Sequence, residues 1–367
     1  MFPQQTSAGR RGRATISDVA EIAGVSTSTV SRALSGHRGV GEQTRSRIVD
    51  IARQIGYQAR GAARSLRTSR SYTIAMLAPD LENPGNQAQV RAAISAAAAR
   101  NYAVMVFDYS AGSTGSLSVI DRMRESDIDG ILLGAARLKV TRDLLDLLAS
   151  DVFVEFAGDQ NAPPPEGAFI IDGVTWLQYE TAACTLAGRR LLNLGHRQIA
   201  YIDWHEQSRL GRTRLEAFRA CAKSFELPEN SVNVLKAGKK EEAVGLVQHL
   251  LAGSPAPTAL VSGNGVMTPY VLEGVHSVDA RIPGDLSFIA CGDSPWHRAF
   301  QPPLSVIRRD SEAEAQCMVE RLIARIEGRD APQMIIQPTE FIDRASIAPA
   351  PMAGNKRPGT GLLAENG

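Results

Sequence analysis

The chain of 367 residues has few of the residues that build covalent or metal-based sites. It contains only four cysteines, Cys184, Cys221, Cys291 and Cys317, with no Cys-x-x-Cys pair and no histidine pattern beside them. This spacing argues against a zinc site and against a disulfide framework, and it fits a reducing compartment. We therefore expect a cytoplasmic protein that carries no metal and no cofactor.

Long apolar runs and catalytic motifs are also missing. No stretch approaches the roughly 20 apolar residues that a membrane span needs, and residues 1–13 lack the apolar core of a secretory signal. The phosphate-binding, metalloprotease and nucleophile-elbow motifs are absent, and no Gly-x-Gly-x-x-Gly follows a strand. An enzyme or a free solute-binding module on an α/β fold remains as an alternative without a motif to support it.

Positive charge is concentrated at one end of the chain. Residues 1–70 contain twelve Arg, no Lys and four acidic residues, a net charge of +8, whereas the rest contains 28 basic and 35 acidic residues. A basic segment joined to a mildly acidic body is typical of a nucleic-acid partner for that segment alone. The Arg-rich stretch 1–13 is predicted to be a disordered arm, with or without phosphate contacts.

Three short helices are predicted between residues 14 and 59. The first follows a Thr15-x-x-Asp18 capping signal, the second follows the cap candidate Ser26, and the third covers about Glu42 to Ile55. The glycines that end them are Gly24, Gly36 and Gly56. Their inward residues are Ile16, Val19, Ala20, Ala23, Val30, Ala33, Leu34, Ile48, Ile51, Ala52 and Ile55. The pattern predicts one small core with a helix-turn-helix.

Polar side chains face outward from the second predicted helix. In a helix-turn-helix this helix enters the major groove of DNA. Arg32 is the main specificity candidate because its planar guanidinium can bond O6 and N7 of one guanine together. The alternative is an ordinary solvated helix surface. The residues of this domain predicted to contact DNA are Thr15, Ser26, Thr27, Ser28, Thr29, Ser31, Arg32, Val40 and Thr44.

Beyond Ser71, apolar runs alternate with amphipathic segments. The runs predicted as buried strands are Thr73–Pro79, Tyr102–Tyr109, Asp129–Gly134, Val152–Ala157, Phe169–Asp172, Gln198–Trp204, Ala259–Gly263 and Leu286–Cys291. Helical patterns such as Ala88–Arg100 and Trp176–Leu194 separate most of them. This alternation predicts parallel sheets covered by helices, and the number of strands favours two doubly wound subdomains over one barrel. His196, in a turn between helix and strand, is predicted to be a structural hydrogen-bonding residue.

Several segments together carry a resemblance to one family. Ala14–Gly36, with Thr44-Arg45 and Gly56-Tyr57 after it, closely resembles the DNA-binding domain of the lactose-repressor family. Later segments agree with the same family: Ala63–Thr68, Pro79–Pro84, Asp129–Leu133, Leu194–Tyr201, Ile282–Ser287, Gln301–Val306 and Ile326–Arg329. The resemblance covers about residues 14 to 347.

The resemblance implies a transcription regulator, as a rule a repressor, that binds a near-palindromic DNA operator as a homodimer. It also implies a hinge helix in the minor groove, with Leu66 of each subunit wedged into the central base step and Ala63 beside it. Such a wedge is offset by the bend that it permits; the alternative is a linker residue that packs on the sensor. Ala59-Arg60 replaces the family's Pro-Asn pair, and Arg60 is expected to contact a phosphate.

The same resemblance implies a sensor like the periplasmic sugar-binding proteins: two lobes, three crossings and a ligand in the cleft, at the carboxyl ends of strands. The family's pocket positions fall on Asn83, Asp108, Arg214, Asn264 and Asp293. Arg214 is the main candidate, since a guanidinium can clamp a hydroxyl pair or a carboxylate. The others are open to a second interpretation, as loop residues that bond their own turns.

The pocket departs from the family where Gly85-Asn86, Asn264-Gly265 and Gly292-Asp293 replace aromatic and acidic residues. These replacements remove groups that usually stack on and bond a sugar ring, so they argue against an ordinary neutral sugar. The effector is expected to be an acidic or phosphorylated metabolite that meets Arg214, with a sugar left open as the other class, or else the sensor is degenerate and insensitive to effectors. The predicted segments are a basic arm (1–13), the helix-turn-helix domain (14–59), the hinge (60–70), the sensor (71–348) and a disordered tail (349–367). Within the sensor the predicted lobes are 71–173 with 311–337, and 174–308 with 338–348.

Overall fold

The computed structural model describes two compact units, Met1–Tyr72 and Thr73–Gly367. The residues that it describes are 14–34, 39–57, 70–78, 81–108, 121–123, 125–133, 153–156, 169–170, 173–204 and 209–351. The predicted arm, the hinge with Arg60, Ala63 and Leu66, and residues 352–367 of the predicted tail lie outside these ranges.

Three helices form the first unit: α1 Ile16–Ala23, α2 Thr27–Leu34 and α3 Glu42–Gln54. The capping signal before α1 is realised, because the Thr15 N–H donates to Asp18 Oδ2 at 2.7 Å and the Asp18 N–H donates back to Thr15 Oγ1. Gly24 ends α1 with φ of 65°, in the left-handed region that glycine occupies without strain. The predicted starts of these helices and the ends of α1 and α3 hold to within one residue, whereas the predicted stop of α2 at Gly36 lies outside the described residues.

The core of this unit lies between the three helices. Its fully buried centre consists of Val19, Val30 and Ile48, one from each helix, and the predicted inward residues Leu34 and Ile55 pack against it half-buried. Burying an aliphatic side chain contributes about 1.5–3 kcal/mol. The apolar pattern of the sequence therefore predicted this core correctly.

The second unit contains two sheets. The first has five parallel strands in the order β2-β1-β3-β4-β5: β1 Thr73–Ala78, β2 Ala103–Asp108, β3 Gly130–Leu133, β4 Phe153–Phe156 and β5 Phe169–Ile170. Helix α4 Pro84–Ala99 connects β1 to β2 and packs on both. Helix α5, Gly173–Asn193, follows β5 and leads to the second sheet.

The second sheet has six strands in the order β11-β10-β9-β8-β6-β7, all parallel except β11. Its strands are β6 Ile199–Trp204, β7 Val232–Ala237, β8 Ala259–Ser262, β9 Ser287–Cys291, β10 Ser305–Arg308 and β11 Glu340–Ile342. Its helices are α6 Arg209–Ser224, α7 Glu242–Ala252, α8 Thr268–His276 and α9 Pro295–Ala299. A short 3₁₀ turn, Glu229–Ser231, precedes β7.

Alternate residues of β6 show how helices cover both faces of this sheet. Ile199 and Tyr201 pack with α5 and α6, whereas Ala200 and Ile202 pack with α7 and α8. Side chains alternate between the faces of a strand, so a strand buried on both sides is apolar at every position. The unbroken apolar run from Ile199 to Ile202 is the sequence signature of this position.

The chain passes between the two sheets three times, through α5, after β10 and before β11. Helix α10, Ser311–Ile326, follows β10 of the second sheet but packs on α4, β3 and β4 of the first. The chain then returns to β11. The fold is therefore a helix-turn-helix unit followed by two doubly wound α/β lobes like those of a periplasmic binding protein, as predicted; the exact lobe limits stay predictions.

All eight predicted strands are present, but three further strands were missed. Asn233 and Lys236 interrupt β7, which is an edge strand, while β10 and β11 have only four and three residues. Helices α4 and α5 begin four and three residues earlier than predicted, since Pro84 and Gly173 do not continue the apolar pattern. The N–H of Ala350 bonds the carbonyl of Leu194, so the ordered chain passes the predicted start of the tail.

Candidate functional site

One face of α2 is polar and exposed, and the opposite face is buried. Thr27, Ser28, Ser31 and Arg32 are exposed, whereas Val30 and Ala33 lie in the core. The Ser26 hydroxyl caps the helix by accepting a hydrogen bond from the Thr29 N–H at 3.2 Å, and it also bonds the hydroxyls of Ser28 and Thr29. The structure thus places the predicted reading residues side by side on the outer surface of α2.

The other predicted contact residues of this unit have mixed surroundings. Thr44 is exposed on the first turn of α3, whereas Val40 is half-buried and packs against the three-helix core. Thr15 is exposed but belongs to the capping box of α1. Its N–H and then its hydroxyl, which both donate to the carboxylate, lower the pKa of Asp18 below the usual value. A DNA contact by any of these residues stays a prediction.

The excess positive charge of this segment is not on its helices. Within residues 14–34 and 39–57, Arg32, Arg45, Arg47 and Arg53 are balanced by Asp18, Glu21, Glu42 and Asp50. The charge of +8 comes from eight other arginines: Arg10, Arg11, Arg13, Arg38, Arg60, Arg64, Arg67 and Arg70. Any non-specific attraction to phosphates is therefore expected from these eight arginines and not from the net charge of the helices, and base reading by the polar face of α2 stays a prediction.

In the second unit, the predicted pocket residue Asn83 follows β1 of the first sheet, and Asp108 ends β2. Asn83 caps α4, its Oδ1 accepting the Gly85 N–H at 2.9 Å, and Asp108 is the exposed last residue of β2. Nearby, Glu82 forms an ion pair with Lys240, which follows β7 of the other lobe. A Cβ built on Gly265 would lie 3.6 Å from Cδ of Pro84, so the lobes also approach closely at a glycine.

Arg214, the main candidate for the pocket, forms a nearly buried ion pair with Glu180. Its Nε lies 2.5 Å from Glu180 Oε1, and its Nη1 donates to the Gly263 carbonyl at 2.8 Å. Burial of the guanidinium is the largest single effect and works to lower its pKa, but the Glu180 carboxylate, together with the nearby Cys291, Tyr201 and Cys184, outweighs it, and the pKa of Arg214 lies well above its usual value. Glu180 also accepts a hydrogen bond from the Thr339 hydroxyl at 3.1 Å.

Gly263, whose carbonyl bonds Arg214, has no side chain, and this lets the Tyr201 ring pack against its backbone. A Cβ at Gly263 would lie 2.5 Å from the Tyr201 hydroxyl oxygen, a distance that no real side chain tolerates. Burial first, and then the nearby Asp203 carboxylate, raise the pKa of Tyr201 well above its usual value, so the phenol stays neutral. A neutral phenol and a backbone carbonyl therefore line the buried side of Arg214.

The last two predicted pocket residues are also bonded within the protein. The side chain of Asn264 accepts the Val266 N–H at 2.9 Å, which closes its own turn. Asp293 receives two bonds from Arg344, Nη1 to Oδ1 at 3.0 Å and Nη2 to Oδ2 at 2.6 Å. Four of the five residues thus use polar atoms inside the chain, and contact of any of them with a ligand stays a prediction.

Glu180, Thr339 and Arg344 were not among the residues expected at the cleft. One signal for Glu180 was present in the sequence, because Ala183, Cys184, Ala187 and Leu191 are buried on α5 and their spacing places Glu180 on the same inward face. A carboxylate on an apolar helix face needs a cation as partner.

The predicted role of His196 is confirmed: its Nδ1 bonds the Thr258 hydroxyl, and its Nε2 bonds the Ala348 carbonyl.

Other kinds of site find no support in the part of the chain that the structure covers. All four cysteines are free, and burial raises the pKa of Cys291 to about 12. Over the described ranges, no three His, Cys, Asp or Glu side chains come together as a metal site would require. Nor do these ranges include a helix with the length and apolar character needed to cross a membrane.

Known proteins resemble both units. The model of the lacI family of bacterial regulatory proteins matches residues 15–59, and the periplasmic binding protein-like domain matches residues 189–347. The HTH-type transcriptional repressor PurR of Haemophilus influenzae is 26% identical over 318 residues, 86% of this chain and 92% of that protein. The ribose operon repressor of the same species is 26% identical over 332 residues, 89% and 96% of the two chains.

Solved structures share the fold of the chain. The lac repressor dimer bound to operator and an anti-inducer has a TM-score of 0.75 at 21% identity, over 92% of this chain and all of that one. The complex of the regulator CelR with cellobiose has a TM-score of 0.62 at 22% identity, over 91% of this chain and all of that one. The chain thus combines, in this order, a domain of the lacI family of bacterial regulatory proteins and a periplasmic binding protein-like domain.

Proposed function

We propose that this protein is a cytoplasmic transcription repressor that binds a near-palindromic operator as a homodimer and responds to a small molecule between its two lobes. The observation that carries the proposal is the polar face of α2: Thr27, Ser28, Ser31 and Arg32 are exposed together on a helix whose other face is buried. The basic charge of residues 1–70 supports a DNA partner for the same unit.

The names and ligands of similar proteins support repression as the kind of regulation and a small molecule as the effector. PurR and the ribose operon protein are named as repressors, and the similar lac repressor structure contains operator DNA. Cellobiose occupies the similar CelR, and ribose occupies a similar regulator from Enterococcus faecium. These proteins are regulators, so we propose that the present chain carries no catalytic activity.

Exposed apolar side chains support the homodimer. Ile94 on α4 and Met105 on the edge strand β2 are large and exposed, and the two elements pack against each other. An exposed apolar edge strand is normally covered by a partner. The molar mass from light scattering should be that of a dimer for the full chain, and Met105→Asp should shift it toward the monomer. A monomeric wild-type chain would contradict this part of the proposal.

Selection from random DNA duplexes tests the reading face. The full chain should enrich one sequence with two related halves. Arg32→Ala should lose about 1–3 kcal/mol of discrimination at one base pair of each half. Arg53→Ala, at an exposed arginine in the last turn of α3, is the matched control and should keep the base preference. Enrichment of no sequence by the wild-type chain would overturn the proposal.

The hinge can be tested separately, although it lies outside the described residues. Leu66→Ala should weaken specific binding much more than binding to random duplex, because an apolar wedge acts only where the bent operator fits. Arg67→Gln is a neighbouring control that removes a charge and should weaken both kinds of binding similarly. Equal losses for Leu66→Ala in the two assays would contradict the wedge.

A second candidate function is a repressor whose sensor does not respond to a small molecule. The observation that favours it is the internal bonding of Asn83, Arg214, Asn264 and Asp293, which leaves fewer polar atoms for a ligand. A thermal-shift screen of metabolites separates the two, since a ligand that binds the folded chain raises its apparent stability. A hit that also changes operator affinity supports the responsive sensor, and the absence of hits supports the insensitive one.

A further inference from the structure

We propose that Glu180 determines the ligand specificity of the inter-lobe cleft by excluding anions from Arg214, so that this arginine serves an uncharged, hydroxyl-bearing ligand and not a carboxylate or a phosphate. The inference rests on the proposed function, because it names the ligand class for the same cleft. It concerns a residue, Glu180, that the pocket pattern did not single out.

Arg214 already donates hydrogen bonds to two partners inside the protein. Two of the three nitrogens of its guanidinium are used: Nε bonds Glu180 Oε1 at 2.5 Å, and Nη1 bonds the Gly263 carbonyl at 2.8 Å. A carboxylate or phosphate binds arginine best through two parallel N–H bonds. The side-on form of this pair requires Nε, which already bonds Glu180, and the end-on form requires Nη1, which already gives one of its two N–H groups to Gly263. The side chain keeps only 11% of its surface exposed, which is room for single contacts with a neutral oxygen.

Glu180 is buried and held in position by its partners. Its side chain is fully buried, and its second oxygen accepts the Thr339 hydroxyl at 3.1 Å. Thr339 precedes β11, whereas Glu180 lies on α5 and Arg214 on α6, so three separate segments hold the carboxylate. A buried carboxylate that left its cation would lose both solvation and pairing. Glu180 therefore does not move aside for an incoming anion.

The negative charge of Glu180 offsets the positive charge of Arg214. An anion on the exposed edge of Arg214 would lie within a few ångströms of Glu180, and its repulsion from Glu180 would be comparable to its attraction to Arg214. The same pairing recurs nearby, where Arg344 faces Asp293 and Lys240 faces Glu82. Asp108, exposed at the end of β2, adds negative charge on the other lobe. Each of the cations Arg214, Arg344 and Lys240 thus faces a carboxylate.

Inorganic phosphate is the probe that tests this inference, by calorimetric titration and thermal unfolding of the full chain. The wild-type chain should show no phosphate binding that depends on Arg214. Glu180→Gln keeps the shape but removes the charge, and it should bind phosphate at least about tenfold more tightly than the wild type. Glu180→Asp, which keeps the charge, should show no such gain, and Glu180→Gln combined with Arg214→Gln should lose it again.

Each result decides for or against the inference. Phosphate binding by the wild type that disappears in Arg214→Gln overturns it, as does a folded Glu180→Gln chain that gains no binding. If Glu180→Gln folds only with phosphate present, that dependence supports it. If this variant never folds, the wild type decides alone: binding of phosphate or citrate through Arg214 overturns the inference, and no such binding supports it.

Operator selection on the same wild-type preparation keeps this inference apart from the proposed function. A chain that enriches no duplex contradicts the proposed repressor, whatever phosphate does. A chain that enriches an operator and binds phosphate through Arg214 contradicts only the role of Glu180.

Discussion

Arg344 holds Asp293 through two parallel hydrogen bonds, and the two side chains keep only 13% and 8% of their surface exposed. The pair joins the loop after β9 to the segment after β11, and a third bond connects Arg344 to the Leu304 carbonyl. Asp293, expected from family resemblance at the ligand pocket, thus has a structural partner 51 residues away.

Arg344→Gln should destabilise the second unit by roughly 3–5 kcal/mol, because it leaves the nearly buried Asp293 carboxylate without its cation. Urea unfolding monitored by circular dichroism measures the change. Arg298→Gln, at an exposed arginine on α9, is the control and should change the free energy of unfolding by less than about 0.5 kcal/mol. Equal effects of the two substitutions would contradict a structural role for the pair.

Acid should destabilise the second unit through His297. Burial lowers its pKa from 6.5 to about 4, and its Nδ1 accepts the Ser294 N–H, which only an unprotonated nitrogen can do. Between these pKa values the unfolded chain binds the proton and the folded chain does not. The free energy of unfolding should therefore be complete above about pH 6.5, fall by roughly 3 kcal/mol as the pH drops to about 4, and lose no more from this group below that.

The histidine contribution is isolated with His297→Asn, which keeps an acceptor for the Ser294 N–H and should flatten the slope of stability between pH 6.5 and about 4. His276→Gln serves as control, since His276 is exposed and should leave the slope unchanged. An unaltered slope in His297→Asn would refute the assignment.

Thr15→Ala should destabilise the first unit by about 1 kcal/mol, within the range known for removal of N-caps, because it eliminates the capping box of α1. Ser17→Ala, at an exposed position two residues later, is the control and should change the stability little. Thermal unfolding without DNA measures stability, and operator titration measures any separate contact with DNA. A stable Thr15→Ala chain with weakened operator binding would show that the side chain acts on DNA and not on the helix.

Substituting Arg10, Arg11 and Arg13 with Gln should weaken binding to operator and to random duplex alike. An arginine that neutralises one phosphate contributes about 0.9 to the slope of log affinity against log salt, so the triple substitution should reduce this slope by up to about 2.7. Base preference should persist, because the polar face proposed to read bases lies on α2. An unchanged salt slope would indicate that the arm touches no phosphates and is only a disordered start.

Local pattern was enough to predict the elements that bury continuous apolar runs. The run from Ile199 to Ile202 and the inward stripe of α1 each determine their own structure, because period and caps are local signals. Strands at sheet edges, such as β7 and β11, gain their hydrogen bonds from distant neighbours on one side only, so their sequences carry little signal.

The chemistry of the cleft was harder to predict than its location. Asn264 follows β8 as expected and bonds its own turn, but the partner of Arg214 on α6 depends on tertiary structure, because Glu180 lies 34 residues from it in the sequence. Whether a polar side chain at a strand end is free to bind a ligand depends on such distant partners. The predicted pocket therefore needed the structure to show how its charges are matched.

The position of α10 also has a consequence for biosynthesis. Gly130 of β3 lies against Leu322 and Ile326 of α10, although almost two hundred residues separate them. At about 5–20 residues per second, a ribosome releases α10 roughly 10–40 s after β3. During that interval α10 is not yet there to cover this face of β3, and chaperones can bind it in the nascent polypeptide. The first lobe, although it is translated before the second, thus completes its packing only after α10 has been synthesised.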